Sequence, residues 1–245
     1  MGYYYWDPTY ILVVIGAVIC MIASARVKGT FNKYSQLRSM SGMNGAQVAL
    51  RVLQAAGIYD VQVRHVSGSL TDHYDPRTKT VSLSEDIYGQ TSLAAVAVYN
   101  ATSVSALGVA AHECGHAIQH AKSYAPLSIR SALVPIANFG SMLAWPVILI
   151  GLLFNTRSSG LIIDIGILLF SAAVLFQLVT LPVEFDASRR ALVMLRTQGI
   201  LADDELKYTR RVLKSAALTY VASAAAAILQ LLRIILITNG RRRDD

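Results

Sequence analysis

Two long apolar stretches set the strongest limit on what this chain can fold into: Leu133–Phe154 carries no formal charge, and Leu161–Leu181 carries only Asp164. Each has about the 20 residues that a helix needs to cross the hydrocarbon core of a bilayer. No water is available there to satisfy backbone amides, so both must be helical. The polar residues between them, Asn155-Thr156-Arg157-Ser158-Ser159-Gly160, read as a short turn, and the pair as a transmembrane helical hairpin.

A third run, Tyr10–Ala25, is charge-free, opened by Tyr3-Tyr4-Tyr5-Trp6 and followed by Arg26, Lys28, Lys33 and Arg38. A cleaved signal peptide would carry its basic residues before the run. Here they follow it, so the run reads as a retained anchor with Met1 outside and Arg26 onward in the cytoplasm. The hairpin then goes out and returns, which leaves the segments before Leu133 and after Leu181 on one side. Ser215–Ile237 is long enough to cross as well, but it contains Gln230 and Arg233, and crossing would place Arg241–Arg243 outside. The charge rule therefore favours three spans, with this last helix packed on the domain or lying in the interface.

Composition agrees: hydrophobic residues make up 54%, charged residues 15%, and the mean hydropathy is +0.46. The net charge of +7 sits in short clusters beside apolar runs, a pattern that sets membrane orientation and gives no nucleic-acid surface. Cys20 and Cys114 have no framework spacing, which excludes a small disulfide-built secreted domain.

Between anchor and hairpin, a helix is expected from Ser41, with Val48, Leu50, Val52, Leu53 and Ala56 on its apolar face and Gly57 as its stop. Val61, Val63 and Val66, then Leu70–Tyr74 and Lys79–Leu83 around the turn Asp75-Pro76-Arg77-Thr78, predict a small sheet of two or three strands. An edge of such a sheet could hold an extended peptide, or the hairpin could be purely structural. A short helix is expected at Gln90–Tyr99. After capping residues among Asn100, Thr102, Ser103 and Ser105, an apolar helix runs from Val104 to Ala121, and Pro126 prevents its long continuation.

That helix carries Ala111-His112-Glu113-Cys114-Gly115-His116. His112 and His116 stand one turn apart on one face, about 5–6 Å between Cβ atoms, so both imidazoles can reach one Zn²⁺. Glu113, between them, stays free for general-base and general-acid work on water. A catalytic zinc needs a third protein ligand. Glu184 is the best placed, after a span that returns to the right side, and Asp186 is second. His120 continues the same helix by another turn and cannot wrap round the same ion, while Asp164 falls deep in the hairpin. Cys114 reads as a small buried filler. Donors for a developing oxyanion could come from His120, Arg189, Arg190 or Tyr220.

The anchor, SGMNGAQVA, LTDHYDPRTKTVSLSEDIY, VAAHECGHAIQHA, the hairpin and LPVEFDASRRAL together resemble the neutral zinc metallopeptidase family of prokaryotic membrane proteins, over nearly the whole chain. The architecture is also similar to membrane-integrated gluzincins of the heat-shock and prenyl-protein protease type. That resemblance implies a mainly α integral membrane protein with a zincin-like α+β domain and a small sheet. It also implies His112, His116 and Glu184 as zinc ligands and Glu113 as the catalytic carboxylate. The broader group often has an acidic residue one turn after the ligand Glu; here that position is Ser188, so support for the ligating histidines is expected elsewhere.

The expected organisation is an anchor over 1–25, a first part of the protease domain over 26–130, the hairpin over 131–181 and a second part over 182–245. The function it predicts is a zinc endopeptidase of the cell membrane, acting on peptide bonds of membrane or membrane-proximal proteins from the cytoplasmic side. The competing reading is a non-catalytic zinc-binding scaffold or regulator, which would have no use for Glu113. A transporter, suggested by Asp164 within a span, would have only one intramembrane acid for a pathway.

Overall fold

A computed structural model describes residues 7–89, 101–154 and 159–244; the helix expected at Gln90–Tyr99 and most of the polar turn after Phe154 lie outside these. The chain forms α1 (Tyr10–Ser35), α2 (Gly45–Ala55), the strands β1 (Gln62–Val66), β2 (His73–Asp75) and β3 (Thr80–Ser84), and the single turn α3 (Glu85–Tyr88). Then come α4 (Val104–Ala121), α5 (Ala125–Leu153), α6 (Ser159–Thr197) and α7 (Asp203–Asp244).

Four of these helices, α1, α5, α6 and the Asp203–Asn239 portion of α7, are long and apolar enough to cross a membrane. The expected three spans thus become four candidates, and the reason lies at Arg233. Its guanidinium is 3.4 Å from the Asp7 carboxylate and 4.0 Å from the centre of the Tyr10 ring, with only 8% of the residue exposed. A cation matched by an acid and an aromatic face costs far less to place at a membrane boundary than a bare one. Helix α6 continues through Pro182, although proline gives no N–H to its turn, and α7 joins the acidic start at Asp203 to the apolar stretch in one helix.

The chain divides into two compact units, the first comprising Met1–Ser24, Ile129–Leu181 and Thr219–Asp245. Its helices approach at small residues: a Cβ on Gly140 would lie 2.5 Å from the Leu169 carbonyl oxygen, so only glycine lets α5 and α6 come this close. Large apolar side chains point outward instead of inward, among them Phe139, Met142, Leu161 and Leu168, each more than 60% exposed. In water such a surface would drive association; against lipid tails it costs nothing.

The second unit comprises Ala25–Ser128 and Pro182–Leu218 and has its own apolar core. Asn44 caps α2 through a reciprocal pair with Gln47, the Asn44 side chain accepting from the Gln47 N–H at 2.9 Å and Gln47 accepting from the Asn44 N–H at 3.0 Å, so the helix starts at Gly45 and not at Ser41. Val48, Val52 and Leu53 of α2 pack with Val81 and Leu83 of β3 and with Leu107, Ala110, Ala111 and Cys114 of α4. The three strands are ordered β1-β3-β2, with β1 parallel and β2 antiparallel to the central β3. Both β1 and β2 are therefore edge strands. Ser103 starts α4 by accepting from the Ala106 N–H at 3.2 Å, within the group of residues expected to cap it.

Glu205, only 5% exposed, ties distant segments together: one carboxylate oxygen accepts from the Met40 N–H at 2.8 Å and the other from the Ala202 N–H at 2.9 Å. Truncation would remove two charge-assisted hydrogen bonds that link the segment at Met40 to the start of α7. Glu205→Ala should lower the unfolding free energy by about 2–4 kcal/mol, seen as a fall in thermal midpoint.

Candidate metal centre

Helix α4 presents one face to α6. The Gly115 position between the two histidines makes this possible, because a Cβ there would stand 2.5 Å from the carbonyl oxygen of Ala187. With no side chain in the way, the backbone of α6 closes on α4 and brings Glu184 opposite the histidines. His112 Nε2 lies 3.3 Å and His116 Nε2 3.6 Å from Glu184 Oε2. One ligand atom from each of the three falls within 4.8 Å of the others. A tetrahedral Zn²⁺ with bonds of about 2.0–2.1 Å sets its donors roughly 3.3–3.4 Å apart, so the spacing suits that ion. Two imidazoles and a carboxylate are also a donor set that zinc accepts while keeping a fourth position open.

The surroundings fix which nitrogen faces the ion. Gln119, fully buried, donates from Nε2 to the Val183 carbonyl at 2.8 Å and to Asp186 Oδ2 at 3.0 Å. Both partners only accept, so the amide has one orientation and its Oε1 faces His116 Nδ1 at 3.1 Å. His116 must then donate from Nδ1, which leaves Nε2 with a lone pair on the Glu184 side. His112 Nδ1 pairs with the Ser188 hydroxyl at 3.1 Å. Support for the first histidine thus comes from Ser188 itself and not from elsewhere: a neutral hydroxyl stands where the broader group often has an acidic residue.

The other sequence candidates are distributed differently. Asp186 stays out of the cluster; it accepts from Arg189 at 2.6 Å, from Arg190 and from Gln119. Arg189 and Arg190 are thereby committed to Asp186. His120 Nδ1 meets the Tyr74 hydroxyl of β2 at 2.8 Å. Tyr220 and Asp164 belong to the first unit and not to the one that holds the histidines. Cys114 is fully buried, its thiol directed at the Ala49 carbonyl at 3.6 Å, and burial pushes its acidity down, consistent with a filler. Glu113 is 8% exposed and, among the described residues, is not part of the donor cluster.

One neighbour escaped the sequence reading. Asp72, before β2, is close enough to Glu113 for the two carboxylates to repel, and its own carboxyl accepts from the Ser84 N–H at 2.7 Å and from the Ser84 hydroxyl. Burial, with a smaller contribution from Glu113, pushes the Asp72 pKa up to about 6. Nothing in the local spacing of Thr71-Asp72-His73 signals this long-range approach.

A family model described as "Putative neutral zinc metallopeptidase" matches residues 9–239. The chain belongs to this family. It is 44% identical over 234 residues to a protein of Bacillus subtilis (strain 168) named "Putative membrane protease YugP", covering 95% of this chain and 98% of that protein. No solved structure matches it. The resemblance drawn from the sequence motifs is therefore correct at the level of the family; a family of zinc peptidases implies Zn²⁺, and the His112–His116–Glu184 cluster is a group that could hold it.

Gln119→Leu removes the acceptor at His116 Nδ1 while leaving the three ligands. It should weaken Zn²⁺ retention about 10–100-fold in a chelator competition, and Ser188→Ala should do the same through His112.

Proposed function

We propose that this family member is an integral membrane zinc endopeptidase of gluzincin type, with a zincin-like site that hydrolyses peptide bonds of membrane or membrane-proximal proteins. The observation that carries the reading is the convergence of His112 Nε2 and His116 Nε2 on Glu184 Oε2, with Glu113 beside them and outside the donor set. The membrane protease name of the Bacillus subtilis relative and the four apolar helices support the setting.

In this reading His112, His116 and Glu184 hold the ion. When bound, Zn²⁺ supplies Lewis acidity that polarises the scissile carbonyl and makes water acidic enough to be deprotonated near neutral pH. Glu113 takes the proton from the attacking water at its carboxylate and delivers it to the departing amine nitrogen. Gln119 holds His116 in the tautomer that binds metal, and Ser188 orients His112 by a hydrogen bond at Nδ1. The edge strand β2 lies against α4, where Tyr74 meets His120, and offers unpaired backbone to an extended substrate.

The site faces the cytoplasm in this account. Basic residues crowd the ends of the apolar helices that adjoin the second unit, at Arg26, Lys28, Lys33, Arg130, Arg189 and Lys214, against Arg157 and Arg241–Arg243 at the other ends. A non-catalytic zinc scaffold would need the three ligands and no Glu113. The purified protein separates the two: Glu113→Gln should keep one zinc per chain and lose peptide hydrolysis by about 10²–10⁴-fold. Undiminished hydrolysis in that variant would remove the mechanism.

A further inference from the structure

Two adjoining hollows in the second unit carry positive charge for which the proposed chemistry has no use. One, of about 550 Å³, is lined by Arg26, Lys33, Tyr34, Arg211, Lys214 and Leu218. The other, of about 650 Å³, adds Arg196, Lys207 and Arg210 and shares Arg211 and Lys214 with the first. The one acidic side chain in either lining is Asp203, and Arg196 already holds it at 3.1 Å. Among the described residues no acid pairs with Arg26, Lys33, Lys207, Arg210 or Lys214. Cations gathered round a concave surface repel one another, and that arrangement is relieved by an anion.

The floor is built and not a chance meeting of mobile side chains. Tyr34, 7% exposed and packed 5.2 Å from the Tyr208 ring, accepts from the Arg211 guanidinium at 3.0 Å. One of the five arginine N–H donors is thereby fixed, and the planar group is held with its remaining donors uncommitted by any hydrogen bond among the described residues. The Lys33 ammonium lies 5.7 Å from the centre of the same ring.

The position of the hollow selects the anion. Arg26 is the first residue after the charge-free run of α1, and Leu218 stands where the apolar stretch of α7 begins. Both walls therefore lie at the polar end of a candidate span, the depth of lipid headgroups. We propose that the 550 Å³ hollow binds the phosphate of an anionic phospholipid, with Arg26, Lys33, Arg211 and Lys214 as the cations that meet it. The apolar rim residue Leu218 suits a ligand that continues into acyl chain, which a free phosphate does not. This site is separate from the metal centre and does not depend on its activity.

The test uses the full-length protein in neutral detergent, titrated with dioctanoyl phosphatidylglycerol, dioctanoyl phosphatidylcholine or glycerol 3-phosphate, with the thermal midpoint as readout. Only the anionic lipid should raise the midpoint substantially, and raising the salt concentration should weaken its effect. Arg26→Gln/Lys33→Gln/Lys214→Gln should lower the apparent affinity for that lipid by about tenfold or more while keeping its zinc content. If that variant does not fold, Lys214→Gln alone, at an exposed position of α7 in the lining of this hollow, should show a smaller loss of the same kind. An equal response to phosphatidylcholine, or affinity unchanged in the variants, would overturn the proposal. An equal response to glycerol 3-phosphate would overturn the lipid assignment and give the hollow to a soluble phosphate.

Discussion

A carboxylate with 2% of its residue surface exposed must be matched in charge, and Glu184 Oε2 faces the Nε2 atoms of His112 and His116 at 3.3 and 3.6 Å, an arrangement that a cation seated among the three would neutralise. The second unit is arranged around that need. Glu184 reaches the histidines because α6 lies against α4 with no side chain at Gly115 to hold them apart. The imidazoles face it with the correct nitrogen because Gln119 and Ser188 occupy the other one. Gln119 can do so because Val183 and Asp186, flanking Glu184 on α6, fix its amide. The helix that carries Glu184 thus also orients His116.

The same logic governs the other buried charges. With only 15% charged residues, most acids and bases found in buried positions have a partner that explains them. Asp186 is neutralised by Arg189 and Arg190. Arg233 is neutralised by Asp7 and covered by Tyr10. Glu205 holds two backbone amides from segments far apart in sequence. The cations lining the hollows near Arg211 are exposed, unlike these, and stand at the polar ends of two apolar helices, where the proposed anionic lipid would meet them.

What the sequence revealed and what it concealed follow from the range of the interactions. His112, Glu113 and His116 are readable because one helical turn fixes their relation, and the apolar runs are readable because length alone limits them. The sheet was foreseen in content but not in order, since the parallel pairing of β1 with β3 depends on a crossover that local alternation does not encode. Ser188 at His112, Gln119 at Val183 and Asp72 near Glu113 join residues far apart in the chain. Arg233 looked like an argument against a span until Asp7, at the opposite end of the chain, supplied its counter-charge. Pro182 lies inside α6, although its own chemistry opposes a helix.

The central claim is a single Zn²⁺ held by two imidazoles and one carboxylate, and X-ray absorption at the zinc edge reads that shell directly. The account predicts a shell of about four N and O donors at roughly 2.0–2.1 Å with two imidazole signatures, reduced by one light donor in Glu184→Ala. A sulfur scatterer at about 2.3 Å, or an unchanged shell in Glu184→Ala, would contradict it.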